Sequence, residues 1–183
     1  MNTSITVSPA NRLHKSADTY LGDPYLCFQL GEQTQALFSM DQVQEVITIP
    51  AQQITPMPNM PACVLGLLSR RSRVMWVIDT AYLLMSQPVA PSLAHYEIIV
   101  IQVNQLFRQQ AMPLATSHRH TLMGLVVQKI RGSRYFSSGL IQPPQDTASP
   151  DLASCLKGYL LQQDNLMLVL DAEALVRLGL VKK

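Results

Sequence analysis

The segment VLGLLSRRSRVMWVIDTAYLL, residues 64–84, contains the clearest structural pattern in this chain. Two short apolar runs, Val64–Leu68 and Val74–Ile78, flank a basic stretch, and this arrangement predicts a β-hairpin. Asp79 follows the second run and precedes helix-forming residues, as an N-cap residue does, and Pro88 provides a stop. The segment therefore predicts two strands followed by one short helix.

A similar pattern occurs near the C-terminus. Val77-Ile78-Asp79 is echoed by Val169-Leu170-Asp171, and an apolar pair follows each aspartate. Asp171 predicts the cap of a closing helix that runs through Leu178, after which Gly179 occupies the C′ position. The echo hints at two similar lobes.

Short strand patterns, separated by turn signals, account for most of the remaining chain. Aromatic or β-branched residues dominate these runs. The further predicted strands are Tyr25–Leu30, Gln35–Met40, Gln42–Ile49, Glu97–Val103, Leu122–Ile130, Cys155–Leu161 and Leu166–Leu170. Within Gln42–Ile49 the alternation places Val43 with Glu45, Ile47 and Ile49 on one side and Gln44, Val46 and Thr48 on the other. Turn signals spaced roughly every 8–12 residues are typical of a β-sandwich or β-barrel.

Three polar segments are predicted to lie outside the strands. Residues 1–23 have no apolar period and predict a flexible N-terminal tail, which leaves 24–180 as a single folded domain of two lobes sharing a core. Residues 104–121 predict an extended hairpin loop or an insertion. Residues 142–154 contain three prolines and predict a loop.

The composition is that of a folded protein without nucleic-acid-binding or membrane-spanning character. Of its 183 residues, 48% are hydrophobic and 14% are charged, and the net charge of +2 lacks the basic excess of a dedicated nucleic-acid binder. No apolar run approaches the ~20 residues of a membrane helix, and the N-terminus has no secretory apolar core. We therefore expect a cytoplasmic protein.

Signatures of catalysis and metal binding are missing from the sequence. There is no P-loop, GxGxxG, GxSxG or HExxH motif. Cys27, Cys63 and Cys155 form no CxxC pair and no zinc spacing, which favours buried thiols in a reducing compartment. His118 and His120 would need further ligands to hold a metal, so a solvated loop is favoured there. We expect no enzymatic activity, no cofactor and no metal.

A basic cluster, Arg70, Arg71 and Arg73, lies in the predicted turn of the first hairpin. These guanidinium groups could bind phosphate, but no aromatic residues interleave them, so a solvated or ion-paired turn is favoured. Glu45 lies in a strand that otherwise needs apolar neighbours, and a carboxylate there must find a partner or remain at the surface. One of the arginines is a candidate for that partner.

Three segments, in this order, resemble the CheW-like domain of bacterial chemotaxis coupling proteins. Tyr25–Val46 is similar to the family's opening hairpin and its V-x-E-V motif, at Val43, Glu45 and Val46. Cys155–Val176 resembles the closing hairpin and last helix. The middle segment, Met57–Leu84, resembles three patterns of the family: P-x-x-P-x-x-V-x-G, N-x-R-G and P-V-I-D. Their counterparts are Pro58, Pro61, Val64, Gly66, Ser69-Arg70-Arg71-Ser72 and Trp76-Val77-Ile78-Asp79.

The resemblance covers residues 24–180 and implies an all-β fold, two packed SH3-like five-stranded β-barrels with one or two short helices. It implies no active site. It implies an adaptor that bridges the signalling tip of a membrane chemoreceptor and the regulatory domain of a CheA-type histidine kinase. The implied partner-binding residues are Val43, Glu45, Val46 and Arg71, with Glu45 and Arg71 as a candidate ion pair. The implied structural residues are Gly66, Asp79, Gly158 and Asp171.

The chain departs from the family's pattern in the turn and in Gly124–Ile130, which resembles the family's G-x-x-V-D-x-V motif more weakly. Ser69, Ser72 and Trp76 replace the usual Asn, Gly and Pro, and Gln128 replaces the usual Asp. A variant pathway, such as pilus-driven twitching or phototaxis, therefore stays open. So does a single-partner regulator or decoy that limits array assembly. In either case the resemblance implies a cytoplasmic protein recruited to membrane receptor arrays, without nucleic acid or membrane insertion.

Overall fold

The computed structural model describes residues 22–88, 94–103, 121–144, 149–163 and 165–181. Within these ranges the chain forms twelve β-strands and three α-helices, numbered here in chain order. The strands of the first half are β1 Asp23–Gln29, β2 Gln35–Ser39, β3 Val43–Pro50, β4 Ile54–Thr55, β5 Val64–Arg70 and β6 Arg73–Asp79. The strands of the second half are β7 His95–Val103, β8 Thr121–Val127, β9 Lys129–Phe136, β10 Ile141–Gln142, β11 Leu156–Gln162 and β12 Asn165–Leu170. The helices are α1 Thr80–Met85, α2 Pro150–Cys155 and α3 Ala172–Val181.

The strands form two six-stranded sheets with the same topology. The first sheet has the order β10-β11-β12-β2-β1-β9, and the second has the order β4-β5-β6-β8-β7-β3. In each sheet one parallel pair, β12 with β2 or β6 with β8, joins two antiparallel hairpins. Each sheet thus contains five longer strands and one two-residue strand, and the predicted all-β class with two packed barrels is confirmed.

The two sheets exchange their hairpins. The β1–β2 hairpin, from the first half of the chain, pairs with strands of the second half, while the β7–β8 hairpin pairs with strands of the first half. The echo of Val77-Ile78-Asp79 in Val169-Leu170-Asp171 is part of this repeat, because the two segments end equivalent strands and begin equivalent helices. Each aspartate N–H also donates to a cysteine carbonyl 2.8 Å away, Cys63 for Asp79 and Cys155 for Asp171.

Three apolar clusters stabilise this arrangement. The central cluster contains residues of both sheets, among them Phe28 of β1 and Ile101 of β7. A second cluster lies inside the second sheet, and a third lies inside the first sheet. Each sheet therefore curls around its own apolar interior and packs its outer face on the other sheet.

Three local features differ from the sequence-based expectation. The predicted strand Leu122–Ile130 is divided at Gln128, where the chain leaves the second sheet and enters the first as β9. Helix α2 begins within the predicted loop 142–154, with Ser149 as its cap and Pro150 in its first turn, and ends at Cys155, the first residue of a predicted strand. Gly179 lies inside α3 rather than after it. A Cβ on Gly179 would come within 2.9 Å of Ile78 Cδ1, so the glycine permits close packing of α3 on β6.

No helix in the described ranges is long and apolar enough to cross a membrane. The predicted tail, apart from residues 22 and 23, lies outside the described residues, as does most of the predicted loop 104–121 with His118 and His120.

Candidate partner-binding surface

A β-bulge in β3 sets the direction of the candidate binding residues. Val43 pairs with Ile101 and Glu45 pairs with Val100, so Gln44 is the extra residue. Because cross-strand partners point to the same face, Val43 shares a face with Val46, which pairs with Ile99. The predicted alternation, with Val43 on the side of Glu45, is therefore wrong at this position. The bulge shifts it by one residue.

The two valines occupy the outer face of β3. Val43 is half-buried and packs on the central cluster, whereas Val46 is 43% exposed. Glu45, by contrast, faces the interior of the second sheet, next to the buried Ile47. The bulge therefore presents an apolar patch on one face of the strand and a carboxylate on the other.

Glu45 forms ion pairs with two arginines at the tip of the β5–β6 hairpin. Arg70 Nε lies 3.3 Å from Glu45 Oε1, and Arg71 Nη1 lies 3.6 Å from Glu45 Oε2. The ion pair between Glu45 and Arg71, suggested by the resemblance, is present, but Arg70 is the closer partner. Arg70 belongs to the basic cluster, so the sequence marks it as a candidate partner of Glu45. Nothing in the sequence shows that Arg70, rather than Arg71, makes the closer contact.

The ion pairs connect the two ends of the second sheet. β3 is the last strand of that sheet, and β5 lies next to its other end. Contacts between β3 and β5 require the sheet to curl. We call the gap between the two ends of a curled sheet its seam, and in the second sheet the ion pairs of Glu45 bridge that seam. The three side chains are partly or mostly exposed, so each pair contributes about 1 kcal/mol or less. Their main effect is to hold Arg71 in position.

The turn that presents Arg71 has an unusual backbone. Arg71 and Ser72 both have positive φ, 46° and 60°, which makes a two-residue hairpin turn of the primed type. The Arg71 side chain is 76% exposed although it contacts Glu45. It therefore lies over the seam with most of its donor groups facing solvent.

A polar cleft of about 470 Å³ adjoins the bulge. It lies between the start of β3, the end of β7 and the start of α3, and its lining residues include Gln42, Gln44 and Lys157. Asp171 forms part of its wall. The cleft thus adjoins Val43 at the start of β3, and Arg71 contacts Glu45 on the opposite face of the same strand.

Asp171 caps α3 and joins that helix to the cleft. Its Oδ1 accepts from the N–H groups of Glu173 at 2.9 Å and Ala174 at 3.2 Å, and from the Gln42 amide at 3.2 Å. Burial by itself would raise the pKa of Asp171, but the hydrogen bond from Ala174, the charge of Lys157 and the remaining hydrogen bonds together lower it. Asp79 has the equivalent role at α1, where it is buried and accepts from Tyr82 N–H at 2.9 Å.

We expect Asp171→Asn to change the pH dependence of stability. Since the folded-state pKa is lowered, the charged form stabilises the fold above the unfolded-state pKa, and this contribution is lost as pH falls through the folded pKa. The difference in unfolding free energy between wild type and variant should therefore shrink on acidification below about pH 4. Urea titrations from neutral to acidic pH measure it. Asp171→Ala, which also removes the cap, should cost about 1 kcal/mol at neutral pH. A wild-type–variant difference independent of pH would contradict the assignment.

Two buried thiols also have shifted pKa values, and the physical cause is the same for both. Burial raises the pKa of Cys27, opposed by Arg134, and raises that of Cys155. Among the residues described, no group of three or more His, Cys, Asp or Glu side chains could hold a metal ion. The surface along β3 combines apolar and charged side chains, a combination suited to recognition.

Comparison with known proteins finds a matching family and similar chains. A family model described as CheW-like domain matches residues 24–179. A probable chemotaxis protein CheW of Rhizobium etli is 27% identical over 150 residues, which cover 82% of this chain and 84% of that protein. The crystal structure of the scaffolding protein TtCheW from Thermoanaerobacter tengcongensis has a TM-score of 0.66 at 18% identity, over 84% of this chain and 92% of that one. At that identity the structural likeness establishes the fold alone.

Proposed function

Because this chain belongs to the CheW-like domain family, we propose that it is a non-enzymatic adaptor that couples chemoreceptors to a CheA-type histidine kinase. The observation that supports the proposal most directly is the surface along β3. Val43 and Val46 share an outward face there, and on the other face Glu45 pairs with Arg70 and with the exposed Arg71. The resemblance to chemotaxis proteins named CheW supports the partner class.

The chemistry of this surface suits a helical partner. An amphipathic helix or helical hairpin can bury its apolar positions on the two valines. Two arginines around a single carboxylate leave the tip with a positive charge, to which Arg73 adds, so an acidic side chain on the partner would complete the contact. Such contacts fix register and orientation, and an array sums many of them.

We expect Arg71→Glu to weaken binding of a chemoreceptor signalling tip by about tenfold, because the new carboxylate repels Glu45 and the partner's acidic group. Calorimetric titration of the purified full chain with a receptor-tip fragment measures the affinity, and a circular dichroism melt checks the fold. Arg73→Glu is the matched control, since it makes the same charge change at the same tip without a contact to Glu45 among the ion pairs of the described residues. It should weaken binding less. A folded Arg71→Glu variant that binds normally would contradict the proposed surface.

The number of partners separates the adaptor from its alternative. The adaptor should bind the receptor tip and the regulatory domain of the kinase at the same time, measured by adding the second partner to the saturated first complex. A regulator or decoy would bind only one of them and block assembly. The replacement of glycine by Ser72 at the turn is the feature that keeps this alternative open. Receptor tips from flagellar, twitching and phototaxis systems, tested in parallel, would identify the pathway. For either candidate, recruitment to receptor arrays in cells requires binding to at least one component of the array.

A further inference from the structure

In the second sheet, the ion pairs of Glu45 connect edge strand β3 to the β5–β6 hairpin. No equivalent ion pair is present at β9, the corresponding edge strand of the first sheet, among the described residues. Its edge strand β9 has the same bulge as β3: Ile130 pairs with Phe28, Gly132 pairs with Cys27, and Arg131 is the extra residue. Counting from the two bulges, Gly132 occupies the position of Glu45, and Arg134 occupies that of the buried Ile47. A carboxylate and an apolar side chain that seal one sheet are thus replaced by a glycine and an arginine in the other.

The consequence is an open seam along β9. All five residues from 131 to 135 are exposed, so both faces of the strand are accessible to solvent. A Cβ on Gly132 would meet no atom within 4 Å. In the part of the chain that the structure describes, β9 pairs with β1 and has no strand on its other edge. The backbone groups of that edge are available to pair with an added strand.

The charge of the seam is positive. Lys129 is neutralised by Glu97 at 2.9 Å, but Arg131 contacts only the neutral side chain of Gln29. Neither Arg131 nor Arg134 forms an ion pair with any described residue. Two guanidinium groups therefore flank the strand edge without an ion-pair partner among the described residues.

By topological equivalence, the β11–β12 hairpin forms the rim of the seam, and two exposed leucines give this rim apolar surface. The β11–β12 hairpin is the topological equivalent of the β5–β6 hairpin, whose tip reaches Glu45. Its tip has Gln162, Gln163 and Asn165 where the other hairpin has Arg70, Arg71 and Arg73. One pair behind this tip, Leu161 and Leu166 face each other across the strands and are 59% and 54% exposed. Cross-strand leucines with this exposure leave apolar surface for a partner.

We propose that β9 is a docking site for an extended, acidic segment of a partner protein, which adds as a strand to its free edge. The acidic side chains of the segment pair with Arg131 and Arg134, and its apolar side chains cover the rim. The site lies on the first sheet, whereas the receptor surface proposed above lies on the second, so the two can be tested independently. Arginines on an edge strand can also serve simply to prevent strand pairing between copies, and the experiment separates that role from docking.

The probe is a blocked, fluorescein-labelled octapeptide of alternating glutamate and valine, titrated into the full chain and followed by anisotropy and by amide shifts in an isotope-labelled sample. We expect saturable binding with the largest shifts in residues 129–136. A peptide with lysine in place of glutamate should not bind. A peptide with alternate backbone amides methylated keeps the charge but cannot complete a strand, and should bind about tenfold more weakly.

The variant Arg131→Glu/Arg134→Glu should reduce peptide affinity about tenfold or more, and Arg73→Glu, a charge reversal on the other sheet, should leave it within about twofold. The methylated peptide is tested with the wild-type protein, so strand addition can be tested even if the double variant does not fold. Absence of binding, or equal binding of the methylated peptide, would overturn strand addition. So would binding of a single-stranded oligothymidine or of phosphatidylserine vesicles in preference to the acidic peptide, which would identify the seam as a general anion surface.

Discussion

We expect Phe28→Ala to lower the free energy of unfolding by about 3–5 kcal/mol, a large part of the stability of an ordinary domain. Phe28 is fully buried in β1 and packs against Phe38, with ring centroids 4.8 Å apart. Both rings belong to the central cluster, which includes residues of both sheets. The cavity left by the substitution would therefore lie between the sheets, where neither sheet can close it alone.

The location of that cavity predicts how the protein unfolds. Trp76 is the only tryptophan and lies in β6 of the second sheet, whereas Phe28 lies in the first sheet. If the sheets depend on one core, the urea midpoints from Trp76 fluorescence and from far-ultraviolet circular dichroism should fall together in the variant. A Trp76 transition that stays at the wild-type midpoint would show that the sheets unfold independently. Phe28→Leu is the matched control, and because it fills most of the same volume it should cost less.

We expect Gly66→Ala to cost about 3 kcal/mol and to lower the melting temperature by about 10 °C. Gly66 lies at a bulge in β5 with φ of +141°, a conformation that side chains rarely adopt. A Cβ there would lie 2.1 Å from the carbonyl oxygen of Thr55 in β4. Because the obstructing atom belongs to the backbone of a neighbouring strand, no rotamer change can relieve the clash.

Two further glycines test the explanation. Gly158 is the equivalent position in β11, and a Cβ there would lie 2.4 Å from the carbonyl oxygen of Gln142 in β10, so Gly158→Ala should be destabilising as well. Gly139 meets only Ser137 Oγ at 3.7 Å, which is an ordinary contact, and Gly139→Ala should stay within about 0.5 kcal/mol of wild type. Thermal melts of the three variants measure the effect. Equal melting temperatures for Gly66→Ala and Gly139→Ala would contradict the close-approach argument.

Sequence reasoning was most successful where the signal is local. The hairpins Val64–Leu68 with Val74–Ile78 and Tyr25–Leu30 with Gln35–Met40 were predicted from runs of strand-forming residues and the turns between them. The caps at Asp79 and Asp171 were predicted as well, because a carboxylate bonds to N–H groups only two or three residues away. Helix α2 was missed although Ser149-Pro150 is a start signal, since the prolines around it favoured a loop.

The candidate binding surface was predicted only in part. Glu45 and Arg71 were named from the resemblance and do meet, but the bulge that turns Val43 onto the face of Val46 is a property of strand register. Register depends on the partner strand, and the sequence of one strand does not contain it. The closer contact of Arg70 with Glu45 arises for the same reason, because it depends on how far the sheet curls.

The sequence by itself determined most of the longer strands, the two capped helices and the family to which the chain belongs, because alternation, capping and motif order depend on neighbouring residues. Only the tertiary structure decided which strands pair. The exchange of the β1–β2 and β7–β8 hairpins between the sheets joins segments that are far apart in the chain, and no local pattern encodes such pairing. The same exchange places β9 against β1 with one edge uncovered by any described strand, whereas the equivalent β3 is sealed through Glu45. The difference between a closed and an open seam therefore follows from long-range contacts.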